Sequence, residues 1–426
     1  MNLTPEQETL GRRNFLKAIA GVPALVGLGA AAGLRGPIPG GPVRVGFVGL
    51  GGEGRMLLEQ TDPAFADVRA ICDINPAQLA RADEALKATN RPGARHYADW
   101  KPMIDQEDLE AVIIATPLWT HGDVTVGCLE AGKHVLCEKM MAWDVASCER
   151  MIDASRRTGR ILEIGYQRFY NPVYQAAYEG VVRAGALGDV YFARLAWHRN
   201  GNWRRTGTPP APDYDPSRWG YPSWEHLLNW RLYGKYSRGL LAELGSHQVA
   251  IANWFFDAMP TTVLGTGGVY RFNDGQREVD DHVFATFEYP GNRTAVFSTI
   301  ESNAFENYYE AFFGTTGTLI LKGEGEAYLF GEGGDAQATG IEVASKGPGP
   351  ALEASESRAA DAAGTSQAAS TDRVDRLSSY RNEISGFCAA IRTGRPLACG
   401  PERAARSARS CLRAYEAVDQ KARLAV

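Results

Sequence analysis

A short apolar run ends in Gly49-Leu50-Gly51-Gly52-Glu53-Gly54, and a helix-forming stretch opens at Arg55. A G-x-G-x-x-G in that context constrains the fold more than any other part of the chain. The first glycine permits a tight turn, the second lets the backbone approach a diphosphate, and the third lets the helix pack closely on the strand. The helix N-terminus, with its unpaired amides, then stabilises an anion. The motif alone is common. Its weight comes from Asp73, which follows the next apolar run 19 residues after Gly54, where a carboxylate can accept from the adenine ribose hydroxyls. That charge repels a 2′-phosphate and so favours NAD; NADP stays open because Arg55, Arg69 or Arg91 beside the ribose would reverse the preference.

From Pro42 the chain alternates β-branched runs with longer helical patterns, the signature of βαβ units. Strands are expected at residues 43–48, 68–72, 95–97, 111–115, 134–137 and 160–164, forming one doubly wound parallel sheet. An acidic start and the stripe of Val145, Cys148, Met151 and Ile152 predict a helix over 144–158. Residues 42–165 are thus an α/β, Rossmann-type dinucleotide-binding domain. Beyond it the pattern changes to a helix-like segment, an aromatic-rich irregular stretch, another helix, and alternating strand-like runs from 261 to 322. Turn residues at Pro290-Gly291-Asn292 and Gly314-Thr315-Thr316-Gly317 predict hairpins. Residues 166–426 are therefore expected to form an α+β substrate domain with a mainly antiparallel open sheet, a surface suited to homo-oligomer formation. Residues 343–372, rich in Ala, Ser and Gly, are expected to be a mobile loop; helices follow at 373–393 and 402–422.

Residues 1–33 read differently from the rest. Arg12-Arg13 precedes an uncharged apolar stretch over 18–33 that is too short for a permanent anchor. This resembles a twin-arginine export signal, with cleavage expected near Ala30-Ala31-Ala32, a periplasmic or secreted product, and no membrane association afterwards. With 45 basic and 50 acidic residues the net charge is -5, which gives no electrostatic reason for a nucleic-acid partner and points to small molecules. The seven cysteines lack a C-x-x-C pair, so no metal is expected, and several fall in apolar runs as small packed residues.

Two segments carry candidate chemistry. Glu138-Lys139 stands at the end of the fifth strand, at the sheet edge where open α/β folds bind ligands. A lysine there suits alcohol oxidation, because desolvation and a nearby cation favour a neutral, proton-accepting amine. Glu243 and His247, four residues apart in a helix-like run, share one helix face and can both reach a polyol hydroxyl. Between them in sequence, Trp197, Trp203, Trp219, Trp224 and Trp230 cluster with Arg199, Arg204, Arg205, Arg218 and Arg231. Aromatic faces cover the C–H face of a sugar and arginines donate to hydroxyls or a carboxylate, which makes Trp203, Arg204 and Trp230 candidate substrate contacts. Packing of this stretch on itself or on another subunit is the alternative.

Together the glycine loop, Ala115-Thr116-Pro117 followed by His121, Glu138-Lys139, Gly165-Tyr166-Gln167-Arg168 and Gly245-x-His247 resemble the glucose-fructose oxidoreductase, inositol dehydrogenase and MocA (Gfo/Idh/MocA) oxidoreductases from about Val43 onward. The resemblance implies that Lys139 transfers the proton and His247 contacts substrate hydroxyls. It also implies cofactor contacts from Thr116, Pro117, His121, Glu138, Lys139 and Gln167, and substrate contacts from Tyr166 and Arg168. Met140 departs from the family's usual E-K-P, and Glu243 stands where many members carry Asp. The function implied is NAD(P)-dependent oxidation of a sugar or polyol hydroxyl, with a tightly held, recycled nucleotide. The alternative is a redox-neutral glycosidase or lyase that oxidises the sugar transiently.

Overall fold

The computed structural model describes residues 1, 3–20, 38–91, 93–332 and 377–426. The expected cleavage site and the 343–372 loop lie outside the described residues. The first sheet consists of β1 (Val43–Val48), β2 (Ala66–Cys72), β3 (Arg95–Tyr97), β4 (Ala111–Ile114), β5 (His134–Glu138) and β6 (Leu162–Gly165). All pairings are parallel and the order is β3-β2-β1-β4-β5-β6. Because helices cover both faces, β4 is buried along its whole length and β1 almost so, which is why these strands read as continuous apolar runs. The strand order reverses between β1 and β4, and the crevice beyond their carboxyl ends is the binding position this topology creates. The helix Val145–Thr158 starts at Asp144, whose Oδ1 accepts from the Ser147 amide at 2.6 Å, and ends at Gly159 with φ 66°.

The second sheet contains β7 (Val190–His198), β8 (Thr262–Gly268), β9 (His282–Tyr289), β10 (Arg293–Ile300), β11 (Tyr308–Gly314), β12 (Gly317–Lys322), β13 (Glu326–Gly331) and β14 (Leu424–Ala425), in the order β13-β12-β11-β7-β10-β9-β8-β14. Both expected hairpins are present, joining β9 to β10 and β11 to β12. The sheet is mixed, since β7 pairs in parallel with β10. This central strand lies within the stretch that the sequence presents as aromatic-rich and irregular. Its partners are remote in sequence, Phe192 facing Thr294, so no local hairpin signal marks it.

Two helices depart from a simple division at residue 165. Ser378–Thr393 returns to the first domain, where Tyr380, Ile384 and Phe387 share a core with Val45, Phe47 and Leu57. Pro401–Gln420 lies between the halves, with Ala404, Ala408 and Cys411 in the larger core that joins them. All seven cysteines are buried and free.

Within the expected leader, Pro5–Ile19 is a helix closed at its start by a Thr4/Gln7 capping box. It is seated on β12 and β13 through buried Phe15, the Lys322–Glu8 ion pair at 3.3 Å and the Arg12–Glu326 pair at 3.6 Å. Gly11 makes the close approach possible: a Cβ there would stand 2.6 Å from Phe330 Cζ.

Candidate active site at the domain junction

The glycine loop follows β1 as the spacing requires. Gly49 has φ 87°, and a Cβ on Gly54 would overlap the Gly49 carbonyl oxygen, so both positions are closed to larger residues. A Cβ on Gly51 or Gly52 would meet nothing within 4 Å, so this side of the loop is open to a ligand. The helix Gly52–Gln60 begins there with no side-chain cap, leaving its first amides available for an anion. Asp73 accepts from the Leu50 amide through Oδ2 and the Asn75 amide through Oδ1, both at 2.7 Å. Burial pushes its carboxyl up to about 6, and the two amides oppose that rise. These residues fit a dinucleotide, with Gly51, Gly52 and the helix amides to hold its diphosphate and Asp73 its adenine ribose.

The loop forms one end of a cavity of about 440 Å³. Thr116, Pro117, His121, Glu138 and Lys139 supply its floor. His121 braces two strand ends: Nδ1 lies 3.0 Å from the Met140 carbonyl and Nε2 2.9 Å from that of Thr116. Burial holds this imidazole below its ordinary pKa despite the two carbonyls. Glu138 Oε2 accepts from the Lys139 amide at 3.1 Å, while Oε1 has no hydrogen-bond partner among the described residues. Burial, reinforced by the charge of Glu53, pushes the Glu138 carboxyl well above the ordinary carboxylate range. The Lys139–Met140 peptide bond is cis.

The second domain supplies the opposite wall. A π-helical turn over Leu241–Gly245 opens the helix Ser246–Phe255, and this turn presents the Glu243 carbonyl to Lys139 Nζ at 3.1 Å. The Glu243 carboxylate accepts from Arg231 Nε at 2.9 Å, and the Arg231 guanidinium lies 4.3 Å over the Trp230 ring. Trp219, Tyr221 and Trp224 extend this wall over the nucleotide end. It is pinned to the first domain where Trp119 Nε1 donates to Tyr221 Oη and Tyr214 Oη donates to the Ile74 carbonyl, both at 2.9 Å.

The structure therefore brings Gly49, Gly51, Gly52, Glu53, Asp73, Thr116, Pro117, His121, Glu138, Lys139, Trp230 and Glu243 to one cavity. Trp203 and Arg204 line an adjoining one. Leu50 and Gly54 shape the loop without lining either cavity. Four other expected contacts lie behind the walls. Tyr166, Gln167 and Arg168 are buried, and Arg168 is engaged by Glu310 and, at 2.8 Å, by Glu324. His247 is 6% exposed, packed near Trp197 and Tyr166. Glu243 lines the cavity from the π turn, whereas His247, in the helix that follows, does not. Arg205 and Arg231 line both cavities, a position that the arginine-tryptophan clustering hinted at without singling them out.

A model of the oxidoreductase family with an NAD-binding Rossmann fold matches residues 43–166, and that of the GFO/IDH/MocA C-terminal domain matches 176–320. The chain belongs to the Gfo/Idh/MocA oxidoreductase family. Curated relatives include glycosyl hydrolase family 109 protein 2 of Phocaeicola vulgatus, 31% identical over 36% of this chain and 38% of that protein. A glycosyl hydrolase family 109 protein of Shewanella baltica is 30% identical over 45% of this chain and 50% of its own length. The inositol 2-dehydrogenase of Acidothermus cellulolyticus is 33% identical over 37% and 45%. The chain thus spans half or less of the length of these relatives. Among solved structures, aldose-aldose oxidoreductase of Caulobacter crescentus complexed with glycerol aligns with TM-score 0.65 and 21% identity over 90% of this chain and 100% of that one. Levoglucosan dehydrogenase in complex with NADH and L-sorbose aligns with TM-score 0.68 and 19% identity, over 91% and 99%. The fold is shared across both, and residues 43–166 form the NAD-binding Rossmann domain of this family.

Proposed function

We propose that the protein oxidises a secondary hydroxyl of a sugar or polyol, with Lys139 as the proton acceptor. The observation that carries this reading is the Lys139–Glu243 contact at 3.1 Å, inside a cavity whose far end is the glycine loop. The bound nucleotide supplies the hydride acceptor. Lys139 Nζ takes the hydroxyl proton, and the Glu243 carbonyl aims that amine. The Arg231–Glu243 pair presents donors and acceptors to neighbouring hydroxyls, and Trp230 offers an apolar face to the ring. Burial favours the neutral form of Glu138, which limits negative charge beside the reacting alcohol.

The Arg12-Arg13 pair and the apolar residues after it support export by a twin-arginine route, and a nucleotide that is retained and recycled follows from that location. Assembly through the open second sheet completes this reading. The test is to add sugars and polyols to the purified, nucleotide-loaded protein and record the near-ultraviolet band of reduced nicotinamide. Reduction that disappears in Lys139→Ala supports the proposal, and equal reduction in both proteins sinks it.

The glycosyl hydrolase family 109 relatives favour a second reading, redox-neutral cleavage of a glycoside. Nitrophenyl glycosides supplied without added cofactor separate the two, since only glycosidic cleavage releases nitrophenol.

A further inference from the structure

Beside the catalytic cavity lies a second one of about 480 Å³ that shares Glu53, Arg205, Leu228, Arg231 and Glu243 with it. Four arginines line this annex, Arg199, Arg204, Arg205 and Arg231, against two acids, Glu53 and Glu243. Arg204 is occupied elsewhere, by Glu225 and by Asp274 at 2.7 Å. Arg231 uses Nε on Glu243. Arg199 reaches Glu301 only at 4.0 Å, and that carboxylate is bound more closely by Arg277. Burial holds Arg199 below the ordinary arginine range, and the charges of Arg231 and Arg277 push the same way. Arg205 is fixed by its backbone, whose amide donates to Asn229 Oδ1 at 2.6 Å and whose carbonyl accepts from Asn229 Nδ2 at 3.1 Å. Its guanidinium makes no ion pair or hydrogen bond with the described residues, and it lines both cavities.

Clustering like charges around a concave site raises their energy unless an anion joins them. Arg199 lines the annex and not the main cavity, and the annex contains none of the loop glycines, so an anion that Arg199 joins lies outside the diphosphate cradle of Gly51, Gly52 and the helix amides. We propose that the substrate is an acidic sugar whose carboxylate enters the annex and is held by Arg205, Arg231 and Arg199 while its ring lies before Lys139. A planar carboxylate suits the arginine fork, which donates two parallel hydrogen bonds to it. The assignment rests on the oxidoreductase reading above and narrows its substrate to the hexuronate class.

The test pairs glucuronate with glucose and galacturonate with galactose on the nucleotide-loaded protein, with calorimetric affinity and the reduced-nicotinamide band as readouts. The uronates are expected to bind at least about tenfold more tightly than the matching hexoses, and Arg205→Gln to cut that ratio about tenfold while the melting temperature holds. A ratio near one, or one that Arg205→Gln leaves unchanged, overturns the proposal. Binding of glucose 6-phosphate that depends on Arg205, without binding of the uronates, overturns the choice of carboxylate. If the neutral hexoses reduce the nucleotide and the uronates neither bind nor react, this inference fails and the oxidoreductase reading stands. Failure of every sugar in both readouts removes both.

Discussion

Lys139 Nζ, at the end of β5, donates to the main-chain carbonyl of Glu243 at 3.1 Å, so an amine from the first domain is aimed by a π turn of the second. The contact uses the carbonyl, which leaves the Glu243 carboxylate to Arg231. The carbonyl and the carboxylate of Glu243 thus serve different partners, Lys139 and Arg231.

Lys139→Ala removes the proposed proton acceptor without touching the glycine loop. Turnover should fall by about 10²–10⁴-fold, the usual contribution of a positioned acid–base group. Nucleotide co-purifying with the variant, quantified after denaturation, should match the wild type. Unimpaired turnover would place the proton acceptor elsewhere.

The loop glycines separate folding from binding. On Gly54 a methyl would overlap the Gly49 carbonyl, so Gly54→Ala should lower both the melting temperature and nucleotide affinity. On Gly51 a methyl meets only open space, and the position faces the cavity. Gly51→Ala should melt within a few degrees of the wild type yet bind NAD at least about tenfold more weakly. Calorimetric titration checks this, and undiminished affinity in Gly51→Ala would move the diphosphate away from the loop.

Glu163 links pH to stability. It is fully buried in β6, donated to by Tyr170, and burial pushes its carboxyl from 4.5 up to about 8. The folded chain therefore keeps a proton that the unfolded chain releases between those values. Its contribution to stability is complete below 4.5 and is lost as pH rises toward about 8, with a slope of at most about 1.4 kcal/mol per pH unit. Glu163→Gln retains an acceptor for Tyr170 and should flatten the fall of melting temperature over that range. Some slope will remain, since Glu138 and Glu383 are also shifted upward by burial. An unchanged slope in Glu163→Gln would show that this carboxyl ionises normally.

The legible parts of the sequence were those with short-range periodicity or fixed spacing. The run from Val43 to Asp73 encodes strand, turn, helix and acid in order, and Lys139 is found because it ends a buried strand. What was hidden depended on partners far along the chain. β7 is specified by β10 and β11, about a hundred residues on. The π turn over Leu241–Gly245 is invisible to a 3.6-residue period. Gln167 and Arg168 match a motif but face Glu324, which belongs to the turn before β13, so spacing alone could not tell a binding role from a buried network.

The N-terminal helix offers the remaining prediction. Its seat covers Tyr328 and neighbouring apolar residues of the second sheet, and the fit depends on Gly11 lying against Phe330 and Tyr328. Gly11→Leu raises intrinsic helix propensity by up to about 1 kcal/mol, so it should not melt the helix. It forces a larger side chain into contacts that would already be 2.6 Å for a Cβ alone, at a cost of about 1–3 kcal/mol. The two partly exposed ion pairs, Lys322–Glu8 and Arg12–Glu326, contribute too little to hold the helix in place. Trypsin should then cut at Arg12, Arg13 and Lys17 several-fold faster in Gly11→Leu, with the main melting transition unchanged. Light scattering should show more self-association, because the uncovered face carries Tyr309, Tyr328 and Phe330. Equal cutting rates in the two proteins would mean that the helix is not held by this contact.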